Sequence, residues 1–256
     1  NGLSPDGGLY VPESFPRLSE KDFGTLCEMD YPERAAYVMS LYLTDFTYEE
    51  LLSYTRQAYA RFYGDPCPLV NIDDGLYVLE LWHGPTCAFK DMALTMLPHL
   101  LTAARRKVGE KDRSLIMVAT SGDTGKAALE GFRDVEGTDI IVFYPTGGVS
   151  DMQKKQMMTQ EGNNVCVCAI EGNFDDTQNA VKAIFADEEM GKLLHERGFK
   201  LCSANSINWG RLVPQIAYYV SAYCDLLNEG RIELGDKVDF CVPSGNFGNI
   251  LAAYYA

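Results

Sequence analysis

SLIMVATSGDTGKAALEGF, residues 114–132, passes from an unbroken apolar run through a turn bearing Gly122 and Gly125 into an amphipathic helical stretch. Apolar residues that run on without alternating mark a strand covered on both faces, as in a parallel sheet. The same unit recurs outward from this stretch. LYVLELW (76–82), DIIVFYP (139–145), NVCVCAI (164–170), KLCSAN (200–205) and DFCVPS (239–244) each predict a short buried strand, with segments of helical length between them. Strand, helix, strand repeated along a chain implies open twisted α/β sheets. A helix carrying Leu94, Leu97, Leu100 and Leu101 follows the first of these strands. Ahead of them, Ala36, Met39 and Leu43, then Leu51, Leu52 and Ala58, predict two helices within 31–63, broken around Thr44 and Asp45. Residues 1–16 are rich in Gly and Pro and form an irregular lead expected to pack Leu9, Tyr10 and Val11 on something larger. The chain has no internal repeat or low-complexity tract.

Composition bounds the function. At 256 residues the chain suits one large or two modest domains. Hydrophobic residues make up 46% and charged residues 23%, as in a soluble globular protein, and no apolar run reaches the roughly 18 residues of a membrane span. A net charge of -14 excludes a large nucleic-acid surface and requires any anionic substrate to find a local basic pocket. The eight cysteines include no CxxC pair; Cys166 and Cys168 form the one close pair, on an expected buried strand, and reduced cytoplasmic thiols are expected. The N-terminus lacks the basic start and apolar core of a secretory signal, and the chain opens on Asn.

In open α/β sheets, ligands sit beyond the carboxyl ends of the strands, so the turns leaving them hold the chemistry. Three turns stand out. In ATSGDTGKAAL (119–129), main-chain N–H groups of Ser121 to Gly125 can converge on an anion such as a carboxylate; the alternative is an ordinary helix start capped by Thr124 or Ser121. In CVPSGNFGNILAAY (241–254), Gly245 and Gly248 let the backbone wrap a phosphate before a helix beginning near Asn249, a pattern that is weak by itself. In ANSINWGRLVPQ (204–215), Asn205, Ser206 and Asn208 precede Arg211, giving either a second phosphate site or a capped helix with a surface arginine.

Lys90 lies in HGPTCAFKD (83–91), among small and apolar neighbours that favour loss of its proton, as Schiff-base chemistry requires; the bland reading is a lysine snorkelling from a helix start. His83 beside this loop orients it or is simply a satisfied polar residue. His99 and His195 fall in helical patterns, Trp82 and Trp209 are expected to pack, and none of the three histidines has a partner at metal-ligand spacing, so no metal is expected.

Taken together, HGPTCAFKD, ATSGDTG and PSGNFGN, in this order and at these separations, resemble threonine synthase of the pyridoxal-phosphate (PLP) fold-type II class. GLSPDGGLYVPE (2–13) and NSINWGR (205–211) extend the resemblance over nearly the whole chain. It implies two open twisted, mostly parallel sheets with helices on both faces, like the tryptophan synthase β subunit. The expected divisions are residues 1–85, a helical lead and part of the larger domain; 86–203, a smaller α/β domain; and 204–256, the start of the larger, phosphate-binding domain.

The same resemblance implies that Lys90 carries PLP and moves protons at the reacting carbons. Gly245, Asn246, Phe247, Gly248 and Asn249 would cup the cofactor's phosphate, and Asp123 would lie near its 3'-oxygen, where the wider class usually places Asn. Ser121, Gly122 and Thr124 would hold the substrate carboxylate. Asn205, Ser206, Asn208 and Arg211 would grip the phosphate of O-phosphohomoserine, with Lys126 either a further cation or a solvated lysine. The implied reaction converts O-phosphohomoserine and water to threonine and phosphate in the cytoplasm, with no nucleic-acid or membrane partner and the oligomeric state open. NSINWGR and HGPT speak against the rival reading, another fold-type II lyase. A second rival is a paralogue acting as a phospho-lyase or ligand-binding protein. Members of the family continue past LAAYYA (251–256), so their C-terminal part, with the Ser or Thr that meets the pyridine nitrogen, is expected to be absent here.

Overall fold

The computed structural model describes Ser4 and residues 8–256. The rest of the lead motif, Gly2, Leu3 and residues 5–7, lies outside the described residues. Two compact units form: residues 1–10 with 97–208, and residues 11–96 with 209–256. These divide after residues 96 and 208, where the sequence divisions stand after 85 and 203, and Lys90 falls in the second unit. Leu9, Tyr10 and Val11 are each at least half exposed, so the expected burial of the lead does not occur.

The second unit opens with three capped helices, α1 (Glu20–Cys27), α2 (Tyr31–Ser40) and α3 (Tyr48–Tyr59). Each starts with a reciprocal capping box, Ser19 with Asp22, Asp30 with Glu33 and Thr47 with Glu50, which satisfies two otherwise orphaned N–H groups per helix. The break between α2 and α3 spans Thr44 and Asp45, as the pattern predicts; α1 was not foreseen. β1 (Leu69–Asp73) and β2 (Leu76–Leu79) then form an antiparallel hairpin around Asp74 and Gly75. The stretch from Leu76 is thus a strand, but a short, mostly half-buried antiparallel one rather than a buried parallel one. α4 (Asp91–Leu94) follows the lysine loop directly.

The first unit holds α5 (Leu97–Val108), β3 (Arg113–Ala119), α6 (Asp123–Phe132), β4 (Thr138–Pro145), α7 (Asp151–Met158), β5 (Val165–Ile170), α8 (Phe174–Ala186), α9 (Glu188–Glu196) and β6 (Phe199–Ser203). Its four strands are parallel in the order β5-β4-β3-β6. Both faces of β3 and β4 are covered, which is why their apolar runs do not alternate. On one side Met117 and Ala119 pack with Val181 of α8, joined by Phe143, Ile184 and Phe185. On the other, Ile116, Val118, Ile140 and Val142 are buried with Ala128, Leu129 and Phe132 of α6, each large side chain contributing about 1.5–3 kcal/mol. β5 is an edge strand and Cys166 on it is exposed, which corrects the expectation of a buried strand there.

The second unit closes with α10 (Trp209–Asn228) and α11 (Gly248–Tyr255). α10 is buried on nearly every side from Arg211 to Ala222, and α1, α2, α4 and α11 all pack on it. Arg34 of α2 donates to Ser221 Oγ at 2.9 Å and pairs with Asp225 at 2.5 Å, fastening the two helices. DFCVPS does not form a strand: residues 239–244 join no ladder among the described residues, and Phe240 is exposed. An apolar pattern specifies a strand only where a neighbouring ladder takes up its N–H and C=O groups.

Candidate active site

The lysine loop is shaped by the carboxylate next to the lysine. Asp91 is buried, and it accepts from the Thr86 backbone N–H at 2.7 Å and from Thr86 Oγ1 at 2.6 Å. Burial pushes its carboxyl above the usual range, while the bonds from Thr86 work in the opposite direction. Gly84 passes so close that a Cβ there would lie 2.5 Å from that of Asp91, which is why HGPT needs glycine at this point. Cys87 takes φ 56°, a left-handed conformation unusual outside glycine, and its N–H donates to Gly84 O at 3.1 Å. Lys90 emerges half-buried at the start of α4, with Nζ 4.3 Å from the centroid of the Phe89 ring. His83 binds Glu80 at 2.7 Å and Trp82 lies half-exposed beside it.

α4, which follows Lys90, and α11, which follows the glycine-rich loop, both pack on α10 within one unit. Two tyrosines of α10 reach the first turn of α11: Tyr219 donates to Asn249 Oδ1 at 2.8 Å, and Tyr218 donates to the same oxygen. With its carbonyl taken, the Asn249 amide presents its NH₂ as the free chemistry of that side chain. The loop Ser244–Phe247 is exposed, and nothing lies within 4 Å of a Cβ placed on Gly245.

In the first unit, the turn after β3 is organised by Thr120. Its buried Oγ1 accepts from Gly122 N at 3.0 Å and Gly125 N at 2.9 Å, replacing the cap expected from Ser121 or Thr124. Two of the five amides expected to meet an anion are therefore engaged internally. Gly122 takes φ 153° with Gln153 pressed against it, and Gln153 Nε2 donates to Asp123 Oδ1 at 2.6 Å. Lys126 is tied to Glu130 and Gln160 rather than solvated.

Residues of NSINWGR divide between two tasks. Asn205 Nδ2 donates to Ala119 O at 3.2 Å and Asn208 Nδ2 to Ser203 O at 2.8 Å, so both amides bind the backbone at the ends of β3 and β6. Ser206 is half-buried. Arg211 is buried in the first turn of α10, and desolvation brings its guanidinium down to about 10. This arginine is not the surface residue of the bland reading.

Residues 66–256 match the family described as pyridoxal-phosphate dependent enzyme. The chain belongs to that family. Residues 1–59 match threonine synthase N terminus. Over its whole length the chain is 43% identical to threonine synthase of Pseudomonas aeruginosa, covering 52% of that protein, and 41% identical to threonine synthase-like 1 of Homo sapiens, covering 35%. The crystal structure of PLP-bound threonine synthase from Brucella melitensis superposes with a TM-score of 0.87 at 40% identity, over 99% of this chain and 53% of that one. The chain thus spans about a third to about half the length of these relatives.

As a pyridoxal-phosphate-dependent enzyme, the protein has PLP as its cofactor, and its second unit has the donors for it. Lys90 offers an amine beside an aromatic face, Gly245 leaves its backbone open to a bulky anion, and the Asn249 amide is pre-set as a donor. This set fits an aldehyde bearing a phosphate. Sequence reasoning missed Thr120, Asp91, Gln153, Tyr218 and Tyr219. Thr120 and Asp91 adjoin the motifs already read, and the adjacency is their only signal; the tyrosines act across 30 residues of sequence, which no local pattern reveals.

Proposed function

We propose that the protein is a threonine synthase, converting O-phosphohomoserine and water to threonine and phosphate. The observation that carries this reading is the packing of the Lys90 helix and the glycine-loop helix on α10, in a chain similar along its whole length to threonine synthases. Bound PLP supplies an electron sink for charge at the substrate's reacting carbons. Lys90 Nζ, set 4.3 Å from the centroid of the Phe89 ring, takes up and returns protons there. Gly245, Asn246, Phe247 and Gly248 present backbone donors to the cofactor's phosphate, and Asn249 adds its amide. Asp123, held by Gln153, serves the 3'-oxygen. Ser121, Gly122 and Thr124 receive the substrate carboxylate, with Ser121 and Thr124 contributing most because the Gly122 amide is bound to Thr120.

Arg211 meets the leaving phosphate. A guanidinium whose charge burial disfavours gains most from an incoming dianion, so binding and charge compensation coincide. Asn205 and Asn208 shape the turn and Ser206 supplies a hydroxyl to the same group. The reduced thiols assigned to the chain suit a cytoplasmic enzyme.

Incubating the purified protein with PLP and O-phosphohomoserine should release phosphate and threonine in equal amounts, and Lys90→Ala should abolish both along with the visible absorbance of bound cofactor. Similarity to threonine synthase-like 1 keeps a second reading open, a threonine-synthase-like paralogue, which we take as a phospho-lyase. Phosphate released without threonine would select that reading and sink the first.

A further inference from the structure

Cys166 and Cys168 are two residues apart on β5, so their side chains leave the same face of the strand, and their Sγ atoms stand 3.8 Å apart. β5 is the edge of its sheet, Cys166 is exposed and Cys168 half-buried. The pair is therefore reachable from solvent.

Distance decides what such a pair does. Residues two apart on a strand have Cα atoms about 6.6 Å apart, near the wide limit of roughly 6.8 Å for a disulfide, and the sulfurs would have to close to about 2.05 Å. Two sulfurs bound at about 2.3 Å to one shared centre stand about 3.3–3.8 Å apart for angles from pyramidal to tetrahedral. The observed separation lies at the top of that range, and a small rotation of the exposed Cys166 side chain covers the remainder. Among the described residues no group of three or more His, Cys, Asp or Glu side chains is placed to hold a metal ion, so a centre bound here must bring its other substituents with it.

We propose that Cys166 and Cys168 form a dithiol site for a soft, thiophilic centre of the trivalent, monosubstituted arsenical type. The reaction balances without an oxidant. An aryl arsenoxide loses its oxygen as water by taking the two thiol protons, and two As–S bonds form while arsenic stays trivalent. Burial and the neighbouring Cys166 push the Cys168 thiol up, so the free pair resists double ionisation, and a shared soft centre removes both protons at once. The inference is independent of the reaction proposed above.

Phenylarsine oxide and intact-mass measurement test it. The protein should take up an adduct that withstands excess mercaptoethanol and is released by dithiothreitol, since a two-sulfur chelate resists monothiols. Cys166→Ser should make the adduct washable by mercaptoethanol, with the melting temperature unchanged because residue 166 is exposed; Cys168→Ser should behave alike. Cys27 donates to the Cys224 carbonyl at 3.9 Å and marks another thiol neighbourhood, so Cys27→Ser is the control and should retain the resistant adduct. A wild-type adduct that mercaptoethanol removes overturns the proposal. So does a resistant adduct that persists in Cys166→Ser.

Discussion

Tyr219 donates its hydroxyl to Asn249 Oδ1 at 2.8 Å and also lies 3.2 Å from the Asn249 carbonyl oxygen, fastening the first turn of α11 to the helix that carries α4. Burial holds the Tyr219 hydroxyl up to about 12, so it remains a donor through any working pH. The relationship sets which end of the Asn249 amide is available for an anion. Tyr219→Phe removes one orienting bond and leaves Tyr218 in place. A hydrogen bond of this kind contributes about 0.5–1.5 kcal/mol, so PLP affinity should fall about 2- to 12-fold, read from a cofactor absorbance titration. Tyr218→Phe combined with Tyr219→Phe should lose more than either alone, and unchanged affinity in the double variant would refute the role.

Thr120 is the keystone of the SGDTG turn, because one buried oxygen serves the N–H groups of Gly122 and Gly125. Thr120→Val keeps the shape but strands the Gly122 N–H at a cost of about 1–3 kcal/mol, while the Gly125 N–H keeps its bond to the Gly122 carbonyl at 3.0 Å. Denaturant unfolding should therefore show a loss of about 1–3 kcal/mol. Thr120→Ser, which retains the oxygen, should recover most of it.

Much of this architecture was legible because its causes are local. The β3 to α6 unit declares itself in an apolar run, two glycines and an amphipathic helix, all within 19 consecutive residues. The β1–β2 hairpin also carries a local signal, Asp74-Gly75 at its tip, which favours a tight two-residue turn and goes unused in the sequence reading. What was not legible depends on distant partners. DFCVPS has the composition of a buried strand and no ladder to join among the described residues, while Cys166 looks buried in sequence and is exposed because β5 is an edge. In the candidate site, residue types foretold the turns, but not that Asn205 and Asn208 spend their amides on strand ends while Arg211 is buried.

Acid should weaken the fold through two half-buried carboxylates. The Tyr37 hydroxyl, then Ser19, hold Asp22 down to about 2 from 3.8, and Lys200 with the Asp112 backbone holds Glu110 down to about 2 from 4.5. A carboxylate with a depressed folded pKa stabilises the fold above its unfolded value and loses that contribution as pH falls through the folded one. Stability should thus decline between about pH 4.5 and about pH 2. Tyr37→Phe and Lys200→Met should each flatten this slope when urea unfolding is repeated across the window.

Cys87 supplies the last prediction, since its φ of 56° places an L-residue in left-handed backbone three residues before Lys90. Such a conformation costs on the order of 1–3 kcal/mol and persists where the surroundings impose it, here the Cys87 turn to Gly84 and the anchoring of Thr86 by Asp91. Glycine removes that cost but adds about 0.5–1 kcal/mol of unfolded-chain entropy, so Cys87→Gly should be neutral to mildly stabilising. Cys87→Val, β-branched and the worst fit to left-handed backbone, should lower the melting temperature and disturb the lysine's approach to the cofactor. Thermal melts and cofactor absorbance on the same samples separate the two effects. If valine proves as stable as cysteine and binds PLP equally well, the loop is not held in this conformation.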